Sequence, residues 1–379
     1  MDIKDFHVET WLNMYENDCK YNLSETFPHA LTVGGLLELT GRRDELAEEL
    51  MNITLDYGEI VGSERLRRAV SGLYKNVPED SITIAHGTIG ANSLVLTAIV
   101  RPGDHVISVS PSYQQLYSLP ESIGADVTVL RLKEENGWLL DIDELRAAVT
   151  DKTRLICLNN PNNPTGAVMP AEMMRMIADI AEKHGAYIFC DEAYRGLSHD
   201  GRPDDGSFFA PSFIDIYDKA IVTGGMSKTF ALAGLRLGWV AGPKDIIDDI
   251  NRHRDYHIIS VGKMDELLSA IAIENRDAVL SRNIEICREN LAVIDKWIAG
   301  EPHVSYIKPS SATTCFMKFD FDMTSTELCH RLREEAGVLF VPGCAFESDD
   351  HFRLGFGNPK AEIEAGLAAF SEWMKNNIK

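Results

Sequence analysis

The sequence predicts an α/β protein: a large domain built on a mostly parallel sheet covered by helices on both faces, with a smaller α+β domain at its C-terminal side. Three observations predict it. Short segments that are apolar on both faces recur between residues 81 and 241 with helical periods between them, the signature of strands buried on two sides. Clusters of Gly, Pro, Asn and Asp punctuate their ends. Beyond about Asp245 the pattern changes to long helices, a few strand candidates and a last helix. These shifts place an N-terminal arm over residues 1–45, expected to pack with the small domain, the large domain over 46–270 and the small domain over 271–379.

Up to about Arg43 no period is expected, because Pro28, Gly34, Gly35 and Gly41 interrupt the chain. Glu64 to Leu73 reads as a helix with Leu66, Val70 and Leu73 on one face. Ser81–Ala85 is a strand candidate, His86-Gly87-Thr88 turns into a helix from Ala91 to Val100, and Pro102-Gly103-Asp104 stops it. Further strands are expected at His105–Val109, Val127–Leu130, Leu155–Leu158, Tyr187–Cys190, Ala220–Thr223 and Leu237–Ala241. Ile142–Val149 and Pro170–His184 read as helices between them. Helical stretches then run to about Ile298, interrupted around Ile259–Gly262. Strands are expected at Thr314–Phe319, Val338–Val341 and Arg353–Phe356, and a final helix at Lys360–Asn376.

Composition narrows the function. The 379 residues carry 58 acidic and 37 basic side chains, a net charge of −21. Such a surface repels phosphate backbones and anionic membranes, which speaks against a nucleic-acid or membrane role. No run approaches the roughly 18 consecutive apolar residues of a membrane span, and the N-terminus lacks the apolar stretch of a signal peptide. The seven cysteines are scattered with no Cys-x-x-Cys pair, so reduced thiols, a cytoplasmic setting and no metal site are expected.

Ligands of a doubly wound sheet bind at the carboxyl ends of its strands. Five such places carry polar or reactive groups: His86-Gly87-Thr88-Ile89, Asn159 to Gly166, Asp191-Glu192-Ala193-Tyr194, Gly224 to Thr229, and Gly234 to Trp239. The first opens a helix, whose N–H groups favour an anion. Each piece alone has a plain structural reading: a turn, a helix cap, a solvated lysine, an ion-paired arginine.

The ordered set Asn163-Pro164-Thr165-Gly166, Asp191-x-x-Tyr194, Ser227-Lys228 and Arg236, with Arg353 in Phe-Arg-Leu-Gly-Phe, resembles the fold-type I aminotransferases that use pyridoxal phosphate. The resemblance runs from Tyr57-Gly58 through Arg353. It implies a homodimer that moves an amino group between an L-amino acid and a 2-oxo acid, with the cofactor in the large domain. Lys228 matches the lysine that forms the Schiff base and moves the proton at Cα; its pKa is expected to fall by burial and nearby cations. Asp191 matches the acid that keeps the ring nitrogen protonated through a charge-assisted hydrogen bond. Tyr194 and Asn163 match the residues that bind the ring's 3′ oxygen, and Asn163 also borders the substrate. Thr88, Ile89, Ser227 and Arg236 match the phosphate site, Arg for its planar fork. Tyr113 aligns with the aromatic that stacks on the ring. Tyr57 aligns with a tyrosine that reaches the partner subunit's phosphate, and Arg353 with the arginine that clamps the substrate carboxylate.

Two positions depart from the pattern. Gly225 stands where many relatives have a Ser or Thr that touches the phosphate. In the arm, Asn22 to Pro28 carries Glu25, a carboxylate the pattern does not expect; it suits a cationic substrate side chain, against the plainer reading of a solvated loop acid. His257, in Arg254-Asp255-Tyr256-His257, is a weaker substrate candidate. The stretches His86-Gly87, Arg254-Asp255-Tyr256, Val341-Pro342-Gly343 and Arg353-Leu354-Gly355-Phe356 are also similar to capreomycidine-synthase-like enzymes, which implies elimination, replacement or cyclisation as the alternative chemistry. A ligand-sensing domain without turnover is opposed by the acidic charge, which suits no fused DNA-binding segment, and a nicotinamide dehydrogenase by the lack of Gly-x-Gly-x-x-Gly after the first strand.

Overall fold

The computed structural model describes residues 2–199 and 208–378. The chain opens with α1 (His7–Tyr15), β1 (Tyr21–Asn22), α2 (Val33–Leu39) and α3 (Arg43–Met51). The expectation of an irregular arm is therefore corrected. Val8, Trp11, Leu12 and Tyr15 recur at helical spacing, and α1 forms because Val8 and Trp11 are buried. Trp11 Nε1 donates to Phe340 O at 2.8 Å, which fixes α1 on the C-terminal part of the chain.

The expected alternation follows. α4 (Glu64–Ser71), N-capped by Ser63, leads to β2 (Ile82–His86), α5 (Gly87–Ile99), β3 (His105–Ser110), α6 (Gln115–Ile123) and β4 (Asp126–Arg131). Then come α7 (Ile142–Ala148), β5 (Thr153–Asn159), α8 (Ala171–His184), β6 (Tyr187–Asp191), β7 (Ala220–Gly225) and β8 (Leu237–Ala241). The helix α6 has no counterpart in the sequence reading; it carries an internal Pro120 and ends at Gly124, whose φ is +101°.

These strands make one seven-stranded sheet in the order β2-β8-β7-β6-β5-β3-β4. β7, β6, β5, β3 and β4 are mutually parallel, and β8 runs antiparallel to both β7 and β2. The reversal has a consequence for the site. Because β8 runs backwards, its beginning, just after Arg236, lies at the same edge as the carboxyl ends of β2, β5, β6 and β7. All five sequence stretches thereby meet along one edge.

The rest comprises α9 (Lys244–His253), α10 (Lys263–Glu274), the 23-residue α11 (Arg276–Ile298), β9 (Val304–Tyr306), β10 (Thr314–Phe319) and α12 (Ser325–Arg331). After them come β11 (Val338–Leu339), β12 (Val341–Pro342), β13 (His351–Gly355) and α13 (Lys360–Asn377). A second, antiparallel sheet has the order β12-β13-β10-β9. The single strand expected at Val338–Val341 is split at Phe340: β11 pairs with β1 of the arm, and β12 pairs with β13. The arm is thus hydrogen-bonded to the C-terminal part, and Gly355 N donates to Leu23 O at 2.8 Å. A Cβ at Gly355 would lie 1.9 Å from Glu25 O, so only glycine lets the arm lie this close.

Candidate active site

A cavity of about 330 Å3 opens at the carboxyl edge of the large sheet, between that sheet, the arm and β13. Its walls include Thr88, Ile89, Tyr113, Asn163, Asp191, Tyr194, Ser227, Lys228, Arg236, Arg353 and Glu25. Eleven of the twelve expected cofactor and substrate residues therefore converge. The exception is Tyr57, which is 74% exposed and lies away from the cavity of its own chain. His257 is also exposed and does not line it.

One end is built for an anion. Thr88 and Ile89 sit in the first turn of α5, whose opening N–H groups have no partner within the helix. Arg236 Nη1 lies 3.3 Å from Ser227 Oγ. Arg236 is held at φ +47°, a left-handed conformation that costs a non-glycine residue about 1–3 kcal/mol and clusters at functional sites. Gly87, at φ +64°, makes room for it, since a Cβ there would lie 2.8 Å from Arg236 Nη2. Gly225 has a local reason too. A Cβ there would come within 2.5 Å of Thr88 Oγ1, so the Thr88 side chain fills the space that a Ser or Thr would need.

The floor holds Asp191, the last residue of β6. Asn92 Nδ2 donates to its Oδ2 at 2.7 Å and Ala193 N to its Oδ1 at 3.0 Å. Asn92 is oriented in turn by Thr223 Oγ1, which donates to Asn92 Oδ1 at 2.6 Å. Burial raises the Asp191 pKa, while Asn92, Ala193 N–H and Lys228 pull it back. A buried carboxylate with this support suits a cationic partner.

Lys228 follows β7 in a tight turn. Its Nζ donates to Thr26 Oγ1 at 2.5 Å and stands 5.5 Å from the centre of the Phe27 ring. Burial, with Arg353 next in weight, brings its pKa down to about 8, so a usable fraction is neutral amine near neutral pH. Burial pushes the Tyr194 hydroxyl up to about 12, opposed by Arg353 and by a hydrogen bond from Thr26. The Tyr113 hydroxyl donates to Glu9 Oε1 at 3.1 Å, and burial pushes its pKa well up.

Arg353 projects from the middle of β13 and is 2% exposed. Its Nη1 donates to Asn163 Oδ1 at 3.2 Å and its Nη2 to Ser24 O at 3.3 Å, while Nε has no hydrogen-bond partner. A buried guanidinium with a spare donor and no ion pair is a receptor for a carboxylate.

Sequence reasoning missed Glu9, Glu16, Thr26 and Asn92. The first two line the cavity from α1 and its end, with Val8 and Leu12. Their signal was the helical stripe of the arm. Asn92 had none, because an asparagine four residues along a helix from Thr88 reads equally well as surface.

The residues present fit pyridoxal phosphate: an anion seat at Arg236 and Ser227, a buried acid for a ring cation, a free amine at Lys228, and an unpaired Arg353 for a substrate carboxylate. Fold and site define a pyridoxal-phosphate enzyme of fold type I. The sequence pattern of Aminotransferase class I and II matches residues 9–370, and the chain belongs to that family. It is 34% identical over 370 residues to capreomycidine synthase of Streptomyces vinaceus, covering 96% of this chain and 92% of the relative. The crystal structure of a PLP-dependent aminotransferase from Streptococcus suis is similar over 100% of both chains, with 41% identity and a TM-score of 0.95. The PLP-dependent cyclase OrfR is similar at 26% identity and a TM-score of 0.89, over 99% of this chain and 98% of that one.

Proposed function

We propose that this aminotransferase moves an amino group between an L-amino acid and a 2-oxo acid, with Lys228 as the amine that carries the cofactor and transfers the proton at Cα. When bound, pyridoxal phosphate supplies an electron sink conjugated with the substrate's Cα. Asp191 would hold the ring nitrogen in its protonated form, and Asn92 keeps that carboxylate in place. Tyr194 and Asn163 would hold the ring oxygen, and Tyr113, its hydroxyl tied to Glu9, would stack on the ring. Arg353 orients the substrate through its carboxylate, so that the Cα proton is presented to the amine. The observation that carries the reading is the convergence of Lys228, Asp191 and Arg353 on one cavity. The test is a half-reaction. Adding an amino acid alone to the yellow protein should move its absorbance into the ultraviolet, and a 2-oxo acid should bring it back. Lys228→Ala should lose this turnover by many orders of magnitude.

A second reading is favoured by Glu25 in the cavity and by the likeness to capreomycidine synthase and a cyclase: elimination or cyclisation on an amino acid with a cationic or heteroatom side chain. Under it, the yellow band returns without any acceptor and a 2-oxo acid or cyclic product is released. The active unit is a homodimer in either case. Leu55, Tyr57 and Tyr256 are 86%, 74% and 90% exposed, on two segments joined by the Lys263–Asp56 ion pair, and such an apolar surface suits a partner subunit. The seven unpaired cysteines suit a reducing cytoplasm.

A further inference from the structure

Beside the residues that suit the cofactor and an α-carboxylate, the cavity holds three further acids. Asp191 is taken by the ring, Arg236 by the phosphate and Arg353 by the carboxylate. Glu9, Glu16 and Glu25 remain, and all three come from the arm. None of them forms an ion pair among the described residues. Glu9 spends one oxygen on the Tyr113 hydroxyl. Glu25 is half-buried: burial raises its pKa, Lys228 pulls it back, and the charge of Glu16 raises it again. Such repulsion in a partly enclosed wall is relieved by a cation. A second, independent observation points to the same ligand from the other side: Arg353 lines this cavity with its Nε unpartnered. The cavity thus presents a buried cation on one wall and a carboxylate cluster on another.

We propose that Glu25, aided by Glu9 and Glu16, selects a substrate amino acid with a cationic side chain, a guanidinium or an ammonium, whose α-carboxylate sits on Arg353. The inference rests on the amino-acid reading above and deepens it by naming the substrate class. It applies whether the chemistry is transamination or cyclisation, because both begin with the amino acid held by its carboxylate and its side chain. Glu25 and Glu16 are specificity residues.

The test is titration of the yellow holoprotein with L-arginine, L-citrulline and L-norleucine, reading dissociation constants from the change in the visible band. Citrulline keeps arginine's shape without its charge. Arginine should bind about tenfold or more tighter than citrulline, the size of one charge-assisted contact. Glu25→Gln should collapse that ratio while citrulline affinity stays nearly unchanged, and Glu16→Gln should reduce it in the same direction. Raised salt should narrow the ratio as well. Equal binding of arginine and citrulline to the native protein overturns the proposal. So does a Glu25→Gln protein that weakens both ligands alike or leaves the ratio intact; the acid would then serve only to balance Lys228. Should Glu25→Gln fail to fold, the Glu16→Gln ratio decides. A protein that develops no visible band on reconstitution contradicts the underlying pyridoxal reading instead, so the two failures are told apart.

Discussion

The chemistry of Lys228 is decided by its surroundings. Desolvation and the charge of Arg353 bring its pKa down to about 8, against the ordinary 10.5, while Glu25 and Glu9 pull the other way. The neutral amine is the form that attacks an aldehyde. The rate at which the cofactor-free protein takes up pyridoxal phosphate should therefore rise with pH and level off above about 8. Stopped-flow absorbance across pH 6–10 checks this, and a rise continuing toward pH 10.5 would show that the pocket leaves the amine unperturbed. Lys228, Asp191, Asn163 and Arg353 were legible in the sequence because their order and spacing are a joint pattern. Thr26, Asn92 and Glu9 were not, because each acts through a neighbour: Thr26 on Lys228, Asn92 on Asp191, Glu9 on Tyr113. Such contacts bridge between 99 and 202 positions of sequence, joining elements that only the fold brings together, and no local period announces them.

At the scale of elements, the arm is the part that reading the chain resolved least. Its first helix, His7–Tyr15, precedes Pro28 and the glycines, and is too short for its stripe to be plain before burial is known. The strand at Val338–Val341 was legible as apolar but not as two halves that join different sheets. The antiparallel direction of β8 was implicit in its link to β7: Met226–Arg236 holds only a three-residue 3-10 turn at Ala233–Leu235 and no α-helix to make the crossover that parallel neighbours need. The arm's closeness to β13 depends on glycine. Gly355→Ala would drive a Cβ into Glu25 O, and overpacking of this kind costs about 1–3 kcal/mol. The variant should melt earlier, and the arm should become more open to protease. A melting temperature and a cleavage rate equal to the native protein's would mean that this contact does not hold the arm.

Over the whole molecule, the acidic charge, the exposed apolar segments and the position of Tyr57 belong together. A net charge of −21 favours solubility, and the exposed apolar side chains Leu55, Tyr57 and Tyr256 stand out against that acidic surface. If Tyr57 serves the partner's site, mixing Tyr57→Ala with Lys228→Ala protein should restore activity. The hybrid then has one site with both native residues. Absence of rescue, with hybrids verified by mass, would place Tyr57 in its own chain's site or in none. The account as a whole stands on the amine at the end of β7. Its most direct measurement is borohydride reduction of the reconstituted protein followed by peptide mass mapping. The account predicts one reduced cofactor per chain, on the peptide carrying Lys228 and at that residue. A label on any other side chain, or none on a protein that has bound the cofactor, would contradict it.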